Sequence, residues 1–296
     1  MGIEAAQFTK QVVSGIAIGS VYALVALGFV LIYKATEVVN FAQGELLMLG
    51  AFLAYTLIVL LGLNFWLGGL LAVVLTAAFG FFLERTVVRP IVGQPVFAIV
   101  MVTIGIGFVA RSVVTMIPPW GVDTHVIQTP FSNRTLSVAG VVLSQDHVAV
   151  VVLTVILCLG LFGFFRYTTL GVAMQATSQN QLAAYYVGIP VKRVFSLIWA
   201  ISAGVAAFAG VLLAPVAFVH ANMGFIGIKA FPAAVLGGFG SIPGAVVGGV
   251  IIGVVEALAG FYLAEGFKDV AAYIVLLLVL LLRPQGLFGA TARKKV

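Results

Sequence analysis

Charge is missing from most of this chain, in runs too long for a water-facing surface. No Asp, Glu, Lys or Arg occurs from Gln11 to Tyr33, Leu46 to Leu83, Ile91 to Ala110, Val148 to Phe165, Val194 to Ile228 or Ala230 to Val255. A helix crosses a bilayer core with about 20 apolar residues, so most of these runs allow one pass and the longer ones two. Only 8% of the 296 residues are charged and 62% are apolar, against roughly 25% charged in an ordinary soluble domain. Within lipid the backbone must satisfy its own hydrogen bonds, which leaves helices or a closed barrel, and the Leu, Val, Ala and Gly content favours helices.

Spans are expected near residues 11–33, 45–62, 64–83, 96–117, 147–165, 194–218, 244–262 and 270–283, with a broken or re-entrant segment near 221–237. The fold class is all-α: a polytopic transmembrane helical bundle of about eight spans plus that segment, in two pseudo-repeated halves, as one domain over residues 1–296. The last span is short and has to borrow from Leu263–Lys268 or shelter against its neighbours. The first run is too long for the apolar region of a signal peptide, and Glu4 with Lys10 gives it no basic head, so it is expected to stay as a helix. Cys158, the single cysteine, falls within a span, so no disulfide forms within the chain.

The net charge of +6 suggests nucleic acid in a soluble protein. Here the bases sit at helix ends and in loops, where the cytoplasmic preference of Lys and Arg accounts for them, and no nucleic-acid partner is expected. Three stretches are assigned to the cytoplasm: Glu84–Pro95 with Arg85 and Arg89, the segment from Arg166 to Arg193, and the tail with Arg283, Arg293, Lys294 and Lys295. The long connection from Pro118 to Asp146 falls outside; its Asn133-Arg134-Thr135 sequon is read as chance. Eight simple crossings fail parity with these loops unless one more segment enters the membrane. The Gly- and Pro-broken stretch 221–243 supplies it, which puts the N-terminus outside.

Small residues recur four apart at Gly15 and Gly19, at Ala206 and Gly210, and along Gly244, Gly248, Gly249 and Gly253. Such faces let helix backbones approach closely, and packing within one bundle is the expected use. Two segments interrupt the apolar pattern: Lys34 to Glu45 and Met223 to Pro232. Broken helices at corresponding places in two halves point to a transport site, because unwound backbone and helix ends offer polar partners to a solute at mid-depth. The candidate path residues are Asn40, Phe41, Gln43, Glu45, Phe225, Lys229 and Phe231, with His220 and Asn222 nearby. The plainer reading makes both segments surface loops with Lys229 reaching to the interface. Arg111 and Glu256 also interrupt apolar helices; each is expected to be an internal ion-pair partner with a structural role rather than a substrate ligand.

The run Gly237-Gly-Phe-Gly-Ser-Ile-Pro-Gly244 lacks the Gly-Lys-Ser/Thr ending of a phosphate loop and the spacing of a dinucleotide loop, so it is a bend. No zinc-type spacing, nucleophile elbow or acid–base carboxylate pair is present either. The chain is therefore not expected to be an enzyme, nor to hold a metal or cofactor. Energy has to come from a gradient or from another subunit.

Between Thr168 and Pro190 lies an uncharged, helix-prone stretch polar enough to leave the membrane and ended by Gly188 and Pro190, as a short surface helix would be. Its Ala183-Ala184-x-x-x-Gly188 resembles the core by which ABC-importer permeases dock on their ATPase subunits. Further motifs are Gly19-Ser-Val-Tyr-Ala-Leu-Val-Ala-Leu-Gly28, Asn40-Phe-Ala-Gln-Gly-Glu45, Lys229-Ala-Phe with the following Ala234-Val-Leu-Gly-Gly-Phe-Gly-Ser-Ile-Pro-Gly244, and Arg283-Pro-Gln-Gly-Leu-Phe288. Together they resemble the branched-chain amino acid permease family of ABC importers, LivH type, over nearly the whole chain.

The resemblance implies a permease subunit in the bacterial inner membrane, in contact with membrane lipid. It implies a homologous second permease subunit (LivM-like), two cytoplasmic ATPase subunits on which ATP acts, and an extracytoplasmic solute-binding protein. It also implies that residues 167–193 are a coupling segment, with Gln175, Gln179, Asn180, Ala183, Ala184, Tyr185 and Gly188 as the docking candidates. The chain departs from the family pattern in having no charge between Tyr167 and Val191, where members commonly place an Arg and an acidic residue. Docking here is left to hydrogen bonds and packing. The family includes permeases for urea, short amides and other amino acids, and a gradient-driven carrier or channel for such a solute is the competing class.

Overall fold

The longest helix, α1 (Ile3–Thr36), forms the centre of the fold. It starts ahead of the charge-free run because nothing between Ile3 and Lys10 breaks a helix. Next come α2 (Gln43–Tyr55), carried on to Leu60 by one wide turn, α3 (Phe65–Leu83), carried on to Ile91, and α4 (Val96–Met116). The connection after α4 holds a hairpin of β1 (Thr135–Val138) and β2 (Val141–Ser144), antiparallel with Thr135 opposite Ser144. Then follow α5 (Gln145–Tyr167), α6 (Thr169–Gln179), α7 (Gln181–Tyr186), α8 (Val191–Ala217), α9 (Ile226–Gly237), α10 (Ile242–Tyr262) and α11 (Phe267–Leu282). The computed structural model describes residues 3–91, 93–132, 134–138, 141–264 and 266–289. Asn133 of the sequon and the tail bases Arg293, Lys294 and Lys295 lie outside the described residues.

Among the described residues, 7 helices are long and apolar enough to cross a membrane. The short eighth is α11, whose 16 residues reach about 24 Å at 1.5 Å per residue, less than a core of about 30 Å. The broken segment is Ala221–Gly237, a tight turn over Ala221–Phe225 leading into α9. In α1 and α8, 89% and 78% of the most apolar window is buried, against 17% in α4 and α5. The first two helices are therefore the core and the other two the rim.

Lipid removes the hydrophobic drive between helices, so close van der Waals contact replaces it. The glycine faces supply that contact within the bundle. A Cβ built on Gly19 lies 2.8 Å from the Gly249 carbonyl oxygen and from Val250 Cα, and one on Gly253 collides with Gly19, so α1 and α10 touch backbone to backbone. On α8, Gly210 faces the Leu47 carbonyl of α2 in the same way.

The basic loops gather at one end. Arg89 pairs with Glu84 at 2.7 Å and donates to the Lys192 carbonyl at 3.0 Å, joining the α3–α4 loop to the start of α8. Gln181 Nε2 donates to the Ala35 carbonyl at 3.0 Å, bringing the C-terminus of α1 to the same end. The long 118–146 connection sits at the other end, where His125 and Val219 exchange backbone hydrogen bonds of 2.8 and 2.9 Å and Trp120 Nε1 donates to Thr56 Oγ1 at 2.7 Å. Loop charge predicts this separation.

Candidate solute path and coupling surface

Both breaks are entered through a side-chain-bearing residue in the left-handed region: Glu37 (φ 57°) after α1 and Phe218 (φ 61°) after α8. Such a backbone costs on the order of 1–3 kcal/mol and persists only where the surroundings impose it. After the first break α2 begins beside the interior of α1, with Gln43 against Gly28 rather than at the helix end. There the second break crosses it. A Cβ on Gly44 would lie 2.9 Å from Gly227 Cα and run into the Gly224 carbonyl, so the two segments touch through bare backbone. The starts of α2 and of the Ala221–Gly237 segment thus converge inside the bundle, each turning the positive end of its dipole toward the crossing.

A polar bed holds the first break. Asn40 and Gln43 are fully buried. Asn40 Oδ1 accepts from the Ala42 amide at 3.1 Å, and Gln43 Nε2 donates to the Ser202 carbonyl at 3.2 Å. The Ser202 hydroxyl lies 3.0 Å from the Gly28 carbonyl and 3.1 Å from Gln43 Oε1, with one proton to give. The Phe41 amide donates to Thr103 Oγ1 at 3.2 Å, tying the break to α4. Asn40 and Gln43 therefore fix the backbone, while Phe41, 37% exposed, looks outward.

Glu45 pairs with Arg111 of α4, and the guanidinium lies over the Phe225 ring with 4.0 Å between its carbon and the ring centroid. Lys229 is not part of this group. Its ammonium lies 2.9 Å from Glu256 and 2.6 Å from Asp269, and Tyr22 donates to the other Glu256 oxygen at 2.5 Å. Arg111 and Glu256 are thus the internal ion-pair partners that their positions in apolar helices suggest. Phe41 and Phe231 pack at a tilt of 34° with centroids 5.5 Å apart, and Phe231 contacts Phe29 and Phe239 in turn, while Phe225 stands apart beside Arg111. Among the described residues no group of three or more metal-ligating side chains occurs.

A cavity of about 290 Å³ runs from the first break toward the coupling end, lined by Asn40, Thr103, Trp199, Gln94 and Gln181 among others. The coupling segment beside it is two helices rather than one. Asn180 is extended and its side chain accepts from the Ala183 amide at 2.9 Å, which ends α6 and caps α7. The Gly188 turn (φ 87°) closes α7 with Ile189 N–H donating to the Ala184 carbonyl at 3.0 Å. Gln179, Asn180, Ala183, Tyr185 and Gly188 are exposed, Ala184 is packed inward, and Gln175 donates to the Phe165 carbonyl at 2.8 Å. Arg85, Arg89, Lys192 and Arg193 line a groove with Leu182 and Tyr185 of α7. The uncharged segment is flanked by bases that other elements bring to it.

Residues 11–282 match the family described as "Branched-chain amino acid transport system / permease component". The chain belongs to this permease family. The permease is 35% identical to the high-affinity branched-chain amino acid transport system permease protein BraD of Pseudomonas aeruginosa, over 99% of each chain. It is 33% identical to the protein LivH of Escherichia coli K12, named likewise, over 98% of each. With a probable branched-chain amino acid transport permease protein LivH of Methanocaldococcus jannaschii it shares 30% identity over 96% of this chain and 94% of that one. Among solved structures, PsaBC from Streptococcus pneumoniae in complex with Fab superposes with a TM-score of 0.50 at 15% identity, covering 94% of this chain and 92% of that one, a likeness of fold. The permease is a multi-pass protein of the inner membrane and a transport subunit, not an enzyme.

Sequence reasoning named the breaks and both ion-pair partners of the bundle, but not Ser202, Thr103 or Gln181 as parts of the site. Ser202 and Thr103 are single hydroxyls inside apolar helices, and nothing in their neighbours' spacing distinguishes them from packing residues.

Proposed function

We propose that this permease carries branched-chain or related amino acids inward as the membrane subunit of an ABC importer. Its partners are a homologous second permease, two cytoplasmic ATPase subunits that bind and hydrolyse ATP, and an extracytoplasmic solute-binding protein. The relatives' names support the solute class. One observation carries the mechanism: Gln181 of α7 holds the Ala35 carbonyl, two residues before the Glu37 hinge that opens the first break. A displacement of α7 by closing ATPases is passed through that bond to α1, to Glu37, and to the crossing of the breaks. The exposed α7 face and its flanking bases offer an ATPase both packing and charge. The solute path follows the crossing, bordered by Phe41, Glu45 and Phe225, with Asn40 and Gln43 fixing its backbone and the cavity above Gln181 leading toward the cytoplasm.

Reconstitution with all partner subunits tests the reading. ATP-dependent uptake of L-leucine is expected, and uptake by this chain without ATPases would sink it in favour of a gradient-driven carrier. Coupling has its own variant. Ala183 is exposed, so Ala183→Trp is expected to fold and to abolish solute-stimulated ATP hydrolysis; undiminished stimulation would remove α7 from the docking surface.

A further inference from the structure

An ion pair that only braces two helices gains by satisfying both partners, because a buried charged group left without a hydrogen bond is costly. The Arg111–Glu45 pair does not do this. Among the described residues, Arg111 Nε and Glu45 Oε2 are both buried and without a hydrogen-bond partner, although Glu45 is only 8% exposed. The site therefore holds one unspent cationic donor and one unspent anionic acceptor side by side. Its walls are closely packed and made of bare backbone: the Glu45 carboxylate lies against Gly224, where any side chain would collide with it, and a Cβ on Gly107 would lie 3.2 Å from Glu45 Cγ, so the pair has to part before a solute enters. Phe225, 49% exposed, puts an apolar ring at the edge.

An α-amino acid zwitterion matches this set, with its ammonium and carboxylate on one α-carbon and an aliphatic side chain to one side. Urea or a short amide brings dipoles but neither full charge. A lone amine or carboxylate would strand one member of the pair. We infer that the Arg111–Glu45 pair is an exchange site, which opens to take the solute's ammonium on Glu45 and its carboxylate on Arg111 and closes again after passage. This rests on the amino-acid reading above and sharpens it, since it makes zwitterionic character a requirement of the permease itself. The sum of charge at the crossing is zero in the closed and in the loaded state, so neither leaves an uncompensated ion within the membrane.

The test uses the full importer complex carrying Cys158→Ser and Phe225→Cys, without the solute-binding protein, and follows labelling of the new thiol by a methanethiosulfonate reagent. L-Leucine is expected to slow labelling at least threefold, while isopentylamine and 4-methylpentanoate do not. Protection should vanish in Glu45→Gln/Arg111→Gln. It should need about tenfold more leucine in Arg111→Lys, which keeps the pair's charge but replaces the planar guanidinium, with its separate Nε donor, by a single ammonium. In complexes with native Phe225 and Cys158, supplied with the binding protein, the double neutral variant should take up leucine at less than one-tenth of the wild-type rate. A bracing role predicts the opposite, because removing both charges together rescues the damage of removing one. Equal protection by all three solutes, or wild-type uptake by the double variant, overturns the exchange site and leaves the amino-acid reading standing. Failure of the wild-type complex to take up leucine overturns that reading instead.

Discussion

At the first break Glu45 faces Arg111; at the second, Lys229 faces Glu256 and Asp269. Both groups put full charge among apolar helices, yet they differ in what they leave unspent. Glu256 gives one oxygen to Lys229 and the other to Tyr22, and so ties α9, α10 and α1 together. The Glu45 pair keeps, among the described residues, one oxygen and one nitrogen without a hydrogen bond, borders bare glycine backbone, and lies against the half-exposed Phe225 ring. Charge inside a membrane protein is thus not by itself the mark of a path. A saturated cluster holds helices in place, and an unsaturated one beside a half-exposed aromatic ring can exchange partners.

The comparison depends on the two breaks touching, and the largest effect is expected where they do. Gly227→Leu would push a side chain into Gly44 and cost more than about 3 kcal/mol, seen as loss of monodisperse complex on purification. Normal yield would mean that the crossing is misplaced. A smaller effect is expected from Glu256→Gln, which keeps the Tyr22 acceptor but removes one of two carboxylates on Lys229. Stability should fall by about 1–3 kcal/mol in thermal unfolding, with uptake within threefold of wild type; an uptake defect larger than that would make the second cluster part of the path. The smallest effect is at Asp269, whose side chain is 68% exposed. Asp269→Asn should change stability by about 0–1 kcal/mol, and a larger loss would show that α11 depends on that contact.

The spans, the two interruptions and the stop at Gly188 were legible because each is written locally, in runs without charge and in Gly or Pro. The pairing of charges was not. Arg111 and Glu45 stand 66 residues apart, and no spacing rule joins residues on separate helices; their apolar surroundings told only that each needed a partner. Asn180 splits the coupling segment through a cap that competes with the helix it interrupts, a local choice that a helix-prone composition hides. The hairpin at Thr135–Ser144 went unread because four-residue strands carry too little alternation to stand out within a long connection. Docking charge was also hidden, since Arg85, Arg89, Lys192 and Arg193 reach α7 only through the fold.

One comparison of rates reaches the central claim directly: ATP-driven leucine uptake by the reconstituted complex carrying Glu45→Gln, set beside the complex carrying Glu256→Gln. Each variant removes one buried carboxylate charge and keeps the side chain's shape. An exchange site at the first break and a brace at the second predict at least a tenfold loss for Glu45→Gln and less than a threefold loss for Glu256→Gln. Equal losses, or a greater loss at Glu256, would contradict the division between the two clusters.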